Sequence, residues 1–228
     1  MLTDQIRSKL HQIQGAINDS RASTELSRLG LAFRPWPGSA VRPAALQMLL
    51  NEIFINGRRS IVEFGSGIST LYLAKALDNI GDGHLVSFES DEQWAAIVRS
   101  WLKEEGVEAR VTLVLAPMAD CSLALNGLEW YDLGTVTKAM EGFSPDCVFV
   151  DGPLAYQREN KLSRYPAVPA LQSYLADEFV VVLDDASREG ERQVASKWAS
   201  LLGVDFVKFP IHGNVARATK GKAFETCP

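Results

Sequence analysis

Long apolar runs, an apolar N-terminal segment and clustered basic residues are all absent from this 228-residue chain. No stretch approaches the roughly 20 apolar residues needed to cross a bilayer, and the N-terminus, MLTDQIRSKL, lacks the apolar core of a secretory signal. The formal net charge of −5, with both signs mixed throughout, argues against nucleic-acid binding as the main function. We therefore expect a cytoplasmic protein with neither a membrane nor a nucleic acid as partner.

Cysteine is scarce as well. Cys121, Cys147 and Cys227 show no metal-type spacing, and an odd number cannot all form internal disulfides, so we expect reduced thiols without a ligand role.

The length suits one α/β domain with a full core. We predict an N-terminal helix and lid-like loop over 1–43 and a single main domain over 44–228.

The N-terminal part has two distinct patterns. Apolar residues at three- and four-residue spacing predict an amphipathic helix over 2–18 that packs on the domain or on a second subunit, as in a homodimer: Leu2, Ile6, Leu10, Ile13 and Ile17. The stretch 33–43 is rich in proline and glycine, which predicts a loop, and its place before the first strand makes it a candidate lid. A helix over 44–55 follows.

From Ile61 onward, strand-like and helix-like runs alternate. Strands are predicted near 61–64, 84–89, 110–115, 146–151 and 179–184, and helices near 69–79, 91–104, 166–176 and 188–202. Such alternation is typical of parallel strands joined by right-handed crossovers, and two β-rich runs around His212 predict a closing antiparallel hairpin. The fold class is therefore α/β, a Rossmann-like doubly wound, mostly parallel seven-stranded sheet with a C-terminal hairpin.

Residues 61–70, IVEFGSGIST, mark the turn between the first strand and the next helix. Gly65 and Gly67 have no side chains, so a ligand can approach the backbone closely there. The third glycine of the dinucleotide fingerprint is missing, and Glu63 lies two positions before the first glycine. An acid there suits S-adenosylmethionine, which carries an ammonium group and no pyrophosphate, better than NAD. An ordinary tight turn with incidental glycines is the alternative.

Acidic residues also mark the ends of later strands: Glu89 in SFES, Asp151 in FVDGP, and Asp184 with Asp185 in VLDDA. Ligands of open α/β sheets bind beyond the carboxyl ends of the strands, so these side chains are expected to meet at one rim. Glu89 follows the glycines by about the 20-residue interval at which nucleoside-binding folds hold the ribose hydroxyls. We assign it that role.

These segments resemble the class I S-adenosylmethionine-dependent methyltransferases over about residues 36–219. The resemblance implies that the methionine part of the cofactor contacts the first loop, through Glu63, Gly65, Ser66, Gly67 and Ser69. It places the ribose on Glu89 and the adenine near 116–120, with Asp120 as a ligand. Together with RYPAVPAL, the motifs are closest to small-molecule or glycan O-methyltransferases that share the GSGIST loop.

The acidic strand ends also resemble the cation-dependent catechol-type O-methyltransferases. Asp151, Asp184 and Asp185 match the placement of their metal ligands, which implies a site for Mg²⁺ or another divalent cation. Gly152-Pro153 and the long interval from Asp151 to Asp184 depart from that pattern. The metal is therefore a hypothesis.

Three side chains are candidates for deprotonating or orienting an acceptor. Asp151 is placed best, Asp185 is second, and His212 is a third option against a plain hairpin-turn histidine that faces water. The long segment between the third and fourth strands holds Trp130 and Tyr131, which either stack on the acceptor or on the adenine, or pack on the sheet from a surface helix. An acidic acceptor could bind the arginines near the predicted rim: Arg158, Arg164 and Arg188.

The sequence thus predicts a methyltransferase that acts on a hydroxyl oxygen of a small-molecule or sugar acceptor. An aminopropyl transferase would use the same cofactor pocket. A non-catalytic S-adenosylmethionine-binding module that regulates a partner is a second alternative, and a nicotinamide dehydrogenase is a third.

Overall fold

The computed structural model describes residues 2–228, apart from the side chains of residues 2–5 and 8. The helices are α1 (Leu2–Leu26), α2 (Pro43–Phe54), α3 (Ile68–Ile80), α4 (Glu92–Glu104), α5 (Leu133–Ala139), α6 (Ala167–Leu171) and α7 (Glu189–Leu202). The strands are β1 (Ser60–Phe64), β2 (His84–Glu89), β3 (Val111–Leu115), β4 (Met118–Asp120), β5 (Glu129–Tyr131), β6 (Cys147–Val150), β7 (Phe179–Leu183), β8 (Val207–Phe209) and β9 (Val215–Lys220). No helix among these residues is both long and apolar enough to span a membrane.

Seven strands form one sheet in the order β3-β2-β1-β6-β7-β9-β8. The first five of these run parallel, whereas β9 pairs antiparallel with both β7 and β8. The predicted Rossmann-like sheet and its C-terminal hairpin are therefore confirmed. The order reverses between β1 and β6, and this is where open α/β sheets leave a crevice for a ligand.

Helices cover both faces of the sheet, and side chains alternate between the two cores along each strand. On β6, Cys147 and Phe149 pack into one core, while Val148 and Val150 pack into the other. All four are fully buried. Burial on both faces explains why the central strands read as continuous apolar runs, CVFV and FVVVL.

Helix α1 is longer than the predicted 2–18 and packs differently. Its buried row consists of Gly15, Asn18, Ala22 and Leu26, whereas the row predicted to pack on the domain is exposed at Ile6, Leu10, Ile13 and Ile17. The side chain of Leu2 lies outside the described residues. Small residues in the buried row allow a close approach, because a Cβ on Gly15 would lie 2.8 Å from Arg42 Nη2. The predicted helix is therefore confirmed, but its apolar row does not pack on the domain, and packing of that row on a second subunit stays a prediction.

The segment between β3 and β6 differs from the sequence prediction in one respect: its aromatic residues lie on a short strand. Met118–Asp120 and Glu129–Tyr131 form a separate two-stranded antiparallel sheet. Trp130 and Tyr131 are buried on its second strand and are not part of a surface helix. The predicted helix over 166–176 shortens to α6, because beyond Leu171 the chain tightens into a turn in which Tyr174 N–H donates to Leu171 O at 2.9 Å.

Candidate active site

A cavity of about 670 Å³ opens at the carboxyl ends of β1, β2, β6 and β7. Its size lies within the range typical of small-molecule sites, roughly 300–1,000 Å³. Five parts of the chain line it: the loop 35–42, the glycine loop with the start of α3, the end of β2 with α4, Tyr131 of β5, and the segments that follow β6 and β7. The cavity therefore lies where the sequence places the ligand.

The glycine loop has no room for side chains at its first position. Gly65 has a φ of +94°, and a Cβ there would lie 2.8 Å from Gly152 N. On the other side of this contact, a Cβ on Gly152 would lie 2.2 Å from the Tyr131 hydroxyl. The loops that follow β1 and β6 thus pass in direct backbone contact, which only glycine allows at both positions.

Glu63 supports the glycine loop from beneath and does not line the cavity. Its Oε2 accepts hydrogen bonds from Thr70 Oγ1 at 2.5 Å and Ser87 Oγ at 2.6 Å, while Gly67 N–H donates to Thr70 Oγ1 at 2.9 Å. Its Oε1 is buried without a partner. Burial raises the pKa of Glu63 from 4.5 to about 7, against the opposing effect of hydroxyl hydrogen bonds. A hydrogen-bond chain therefore joins this carboxyl to the loop backbone.

Glu89, at the end of β2, lines the cavity and is held firmly in place. Its Oε1 accepts from the backbone N–H groups of Ser90 and Asp91 at 2.7 and 2.9 Å, and its Oε2 accepts from Ser66 Oγ at 2.9 Å. Trp94 donates from its indole nitrogen to Ser66 O at 2.9 Å. The carboxylate and the glycine loop are thus fixed relative to each other before any ligand binds.

The loop 35–42 covers the cavity and is attached to the helices on both sides. Arg34 donates from Nη2 to Glu104 and Glu105 at 2.8 and 3.2 Å, which ties its start to the end of α4. Trp36 donates to Val41 O at 2.9 Å and lies 5.9 Å from the Tyr72 ring, measured between ring centroids. The predicted loop therefore lines the cavity, in the position of a lid.

The ends of β6 and β7 bring together the three predicted carboxylates. Asp151, Asp184 and Asp185 have carboxylate oxygens within 4.8 Å of one another. Asp185 adopts a φ of +58°, which places a non-glycine residue in the left-handed region. Burial and the neighbouring carboxylates raise the pKa of Asp184 well above its usual range. Burial also raises the pKa of Asp151, while Arg164 opposes this shift.

Two arginines occupy the space between these carboxylates, so the cluster does not fit a divalent cation. Arg164 lies 3.1 Å from Asp151 Oδ1 and 3.2 Å from Asp185 Oδ2, and Arg188 lies 2.7 Å from the same Asp185 oxygen. Mg²⁺ would need such oxygens at about 2.1 Å, next to two positive guanidinium groups. The raised pKa of Asp184 also disfavours the ionised form of its carboxyl, which is the form that a metal ligand needs.

Most predicted site residues line the one cavity: Gly65, Ser66, Gly67, Ser69, Glu89, Asp151, Asp184, Asp185, Arg164 and Arg188. Asp120 is exposed, pairs with Glu129 across the small sheet and is not among the residues that line the cavity. His212 lies 3.3 Å from Asn18 Nδ2 in the hairpin turn, and Arg158 is exposed outside the cavity. The predicted chemical roles stay predictions.

Sequence reasoning did not single out several lining residues, among them Asp91 and Trp94. Asp91 caps α4 by accepting from Trp94 N–H at 2.8 Å. A capping acid followed three residues later by tryptophan was the available signal for both. Tyr131, which the sequence offered as a stacking residue, lines the cavity, and the group on which it stacks stays a prediction.

The sheet order, the glycine loop and the acidic strand ends define a Rossmann-like fold of the methyltransferase type. Comparison with protein families agrees: a methyltransferase domain model matches residues 62–186, more than half of the chain. The chain therefore belongs to this methyltransferase family.

Comparison with solved structures gives the same fold. The O-methyltransferase TomG of Streptomyces achromogenes, in complex with S-adenosylmethionine, is 20% identical, with 90% of each chain covered and a TM-score of 0.58. An O-methyltransferase of Bacillus cereus with bound S-adenosylhomocysteine is 18% identical over 89% of this chain and 90% of that one, at a TM-score of 0.57. The methyltransferase PaMTH1 of Podospora anserina is 16% identical over 89% of this chain and 94% of that one, at a TM-score of 0.58. Comparison with curated protein sequences gives no match.

Proposed function

We propose that this methyltransferase uses S-adenosylmethionine to methylate a hydroxyl oxygen of a small-molecule or sugar acceptor. One observation carries the proposal: a single cavity joins the glycine loop and Glu89 at one end to Asp151 and Asp185 at the other. A donor bound at the first end and an acceptor at the second would share one enclosed space, as group transfer requires.

The residues of the first end fit the cofactor. A Cβ on Gly67 would meet nothing closer than Trp94 at 4.0 Å, so the loop backbone is open to a ligand. Gly65, Ser66, Gly67 and Ser69 would hold the amino-acid part, and Glu89 would accept hydrogen bonds from the ribose hydroxyls. Bound S-adenosylmethionine supplies a methyl group on a positively charged sulfur, suited to in-line displacement.

At the second end, Asp151 is the group that would take the proton of the acceptor hydroxyl. The pKa of its carboxyl is raised by burial, which brings its basicity closer to that needed near neutral pH. Asp185 is more exposed than Asp151 and would orient the acceptor. It is also the second candidate for taking the proton of the hydroxyl. Much of the rate acceleration would come from holding the oxygen against the methyl carbon.

The mouth of the cavity indicates the kind of acceptor. Leu154 and Tyr156 line it and are 63% and 62% exposed, and Pro35 and Pro37 face the cavity from the lid loop. Such surfaces suit a flat apolar or sugar ring, and the arginines nearby suit a negatively charged group on it. The cytoplasm is the compartment we propose, since Cys121, Cys147 and Cys227 are all free thiols.

Calorimetric titration with S-adenosylhomocysteine tests the cofactor site. Wild-type protein should bind in the micromolar range, about −8 kcal/mol. Gly65→Ala should weaken binding at least about 100-fold, because the new Cβ collides with Gly152 and the φ of +94° strains the backbone. Gly142→Ala is the matched control, since Gly142 also has a positive φ, +75°, but has no atom within 4 Å of an added Cβ.

Binding by Gly65→Ala at wild-type affinity would show that the pocket is elsewhere. No binding by the wild type, together with heat from NAD⁺, would replace the methyltransferase proposal by a dehydrogenase. With binding established, acceptors are screened for a mass gain of one methyl group, and a larger substituent would identify an aminopropyl transferase.

A further inference from the structure

Arg164 is a buried cation at the acceptor end of the cavity. Its side chain is 4% exposed, and it lies between the loops that follow β6 and β7. An arginine keeps its charge at any physiological pH, so it must be matched by acceptors and carboxylates within the fold. The chain therefore carries a permanent positive charge at the place where the sequence pattern suggests a metal ion.

All three guanidinium nitrogens of Arg164 are used. Nε donates to Pro153 O at 3.2 Å, Nη1 donates to Asp184 O at 3.3 Å, and Nη2 donates to Asp151 Oδ1 at 3.1 Å. Nη1 also lies 3.2 Å from Asp185 Oδ2. The planar group thus connects the backbone and the carboxylates of both strand ends in one fixed geometry.

A fourth carboxylate, that of Glu191, lies close to both Arg164 and Arg188. Glu191, in the first turn of α7, is 1% exposed, and neither of its oxygens has a hydrogen-bond partner. Its Oε1 lies 3.7 Å from Arg164 Nη1 and 3.9 Å from Arg188 Nη1. An isolated buried carboxylate is costly, so this placement is stable only while the guanidinium groups remain beside it.

We propose that Arg164 takes the place of the divalent cation in this methyltransferase: it holds Asp151 and Asp185 toward the acceptor, and methyl transfer needs no metal ion. This inference rests on the proposed function. Arg164 is a positioning residue, because it acts on the acceptor through the two aspartates. Arg188 completes the charge balance at Asp185.

Titration with Mg²⁺ alone tests the inference without knowledge of the acceptor. The wild-type protein should give no binding heat and no rise in Tm with Mg²⁺, with or without S-adenosylhomocysteine. Wild-type binding of Mg²⁺ with a dissociation constant below about 1 mM would overturn the inference. The S-adenosylhomocysteine titration of the same sample reports on the proposed function separately, so failure of one is distinguished from failure of the other.

Two substitutions sharpen the test. Arg164→Gln removes the cation and leaves the carboxylates, so Mg²⁺ should raise its Tm by about 3 °C or more. Arg164→Lys keeps the charge, so its Tm should not change with Mg²⁺. The Tm of Arg158→Gln, which alters an exposed arginine of the neighbouring segment, should not change either. A folded Arg164→Gln variant that gains no response to Mg²⁺ would contradict the inference. If that variant does not fold, the wild type and Arg164→Lys decide it, and a Mg²⁺ response in either overturns it.

Discussion

The carboxyl group of Glu63 ties three pieces of chain together beneath the glycine loop. Thr70 and Ser87 donate to it, and Thr70 in turn accepts from the backbone of Gly67. The resemblance to class I methyltransferases implies a direct contact of this residue with the cofactor, whereas its buried position favours a supporting role. In either role, its protonation state affects the fold, because its pKa is raised to about 7.

Glu63→Gln should change how stability depends on pH. In the folded protein the carboxyl stays protonated up to about pH 7, but in the unfolded chain it ionises near 4.5. The folded state therefore binds the extra proton between these values, and its contribution to stability falls as pH rises from 4.5 to 7, then stays level. A glutamine does not titrate, so it loses no stability in this range. The free energy of unfolding of the variant, relative to that of wild type, should therefore rise by about 3 kcal/mol between pH 4.5 and pH 8.

Urea unfolding of the two proteins at both pH values measures this difference. Glu108→Gln, at an exposed glutamate, serves as the control and should show no comparable gain. A stability difference between wild type and Glu63→Gln that is equal at both pH values would rule out the raised pKa.

At the level of single residues, the sequence predicted part of the site and missed another part for a physical reason. Asp151, Asp184 and Asp185 were found because the carboxyl ends of parallel strands meet at one edge. Arg164 was noted as an arginine near the rim, but its contacts were not predictable. It lies in a turn-rich segment without periodicity, and its partners come from distant parts of the chain that only the tertiary fold brings together.

Among the elements, the lid loop depends on a small number of contacts. Trp36 fixes its centre through the hydrogen bond to Val41 O and through contact with Tyr72. Trp36→Ala should loosen the loop over the cavity and weaken S-adenosylhomocysteine binding by about three- to tenfold, because the ligand must then order the loop as it binds.

Calorimetry on Trp36→Ala and Phe33→Ala checks this prediction. Phe33 belongs to the same loop but is 90% exposed, so its removal should leave affinity unchanged. Wild-type affinity in Trp36→Ala would mean that the loop does not close over the cofactor.

Elements with strong periodicity were predicted well, and short ones were not. The central strands and α3, α4 and α7 lie within one or two residues of their predicted bounds, because burial on fixed faces sets their apolar pattern. Strands β4 and β5 have three residues each, too few for a period of two to be visible. The buried row of α1 was not predicted, because Gly15, Asn18 and Ala22 are small or polar residues that give no apolar period.

For the whole molecule, the exposed row on α1 supports the prediction of a homodimer. Ile6, Leu10, Ile13 and Ile17 are 42–58% exposed on one side of the helix. Two copies of such a row could bury each other by two-fold symmetry. Leu10→Glu should then give a monomer in analytical ultracentrifugation, while Phe224→Glu, at another exposed apolar residue, should leave the dimer intact. A wild-type monomer at all concentrations would refute the dimer.

The C-terminal hairpin has a consequence for the order of folding. Asn214 accepts from Ala186 N–H at 2.7 Å and from Ser187 N–H at 3.0 Å, and Asn18 donates to Ile211 O at 2.8 Å. The loop after β7 is thus held by a turn that is itself docked against the first helix, 193 residues away in sequence. Closing so long a loop has a large entropic cost, so we expect these contacts to form late. During refolding, cofactor binding should therefore recover before methyl transfer, since the acceptor end is completed only when both ends of the chain have docked.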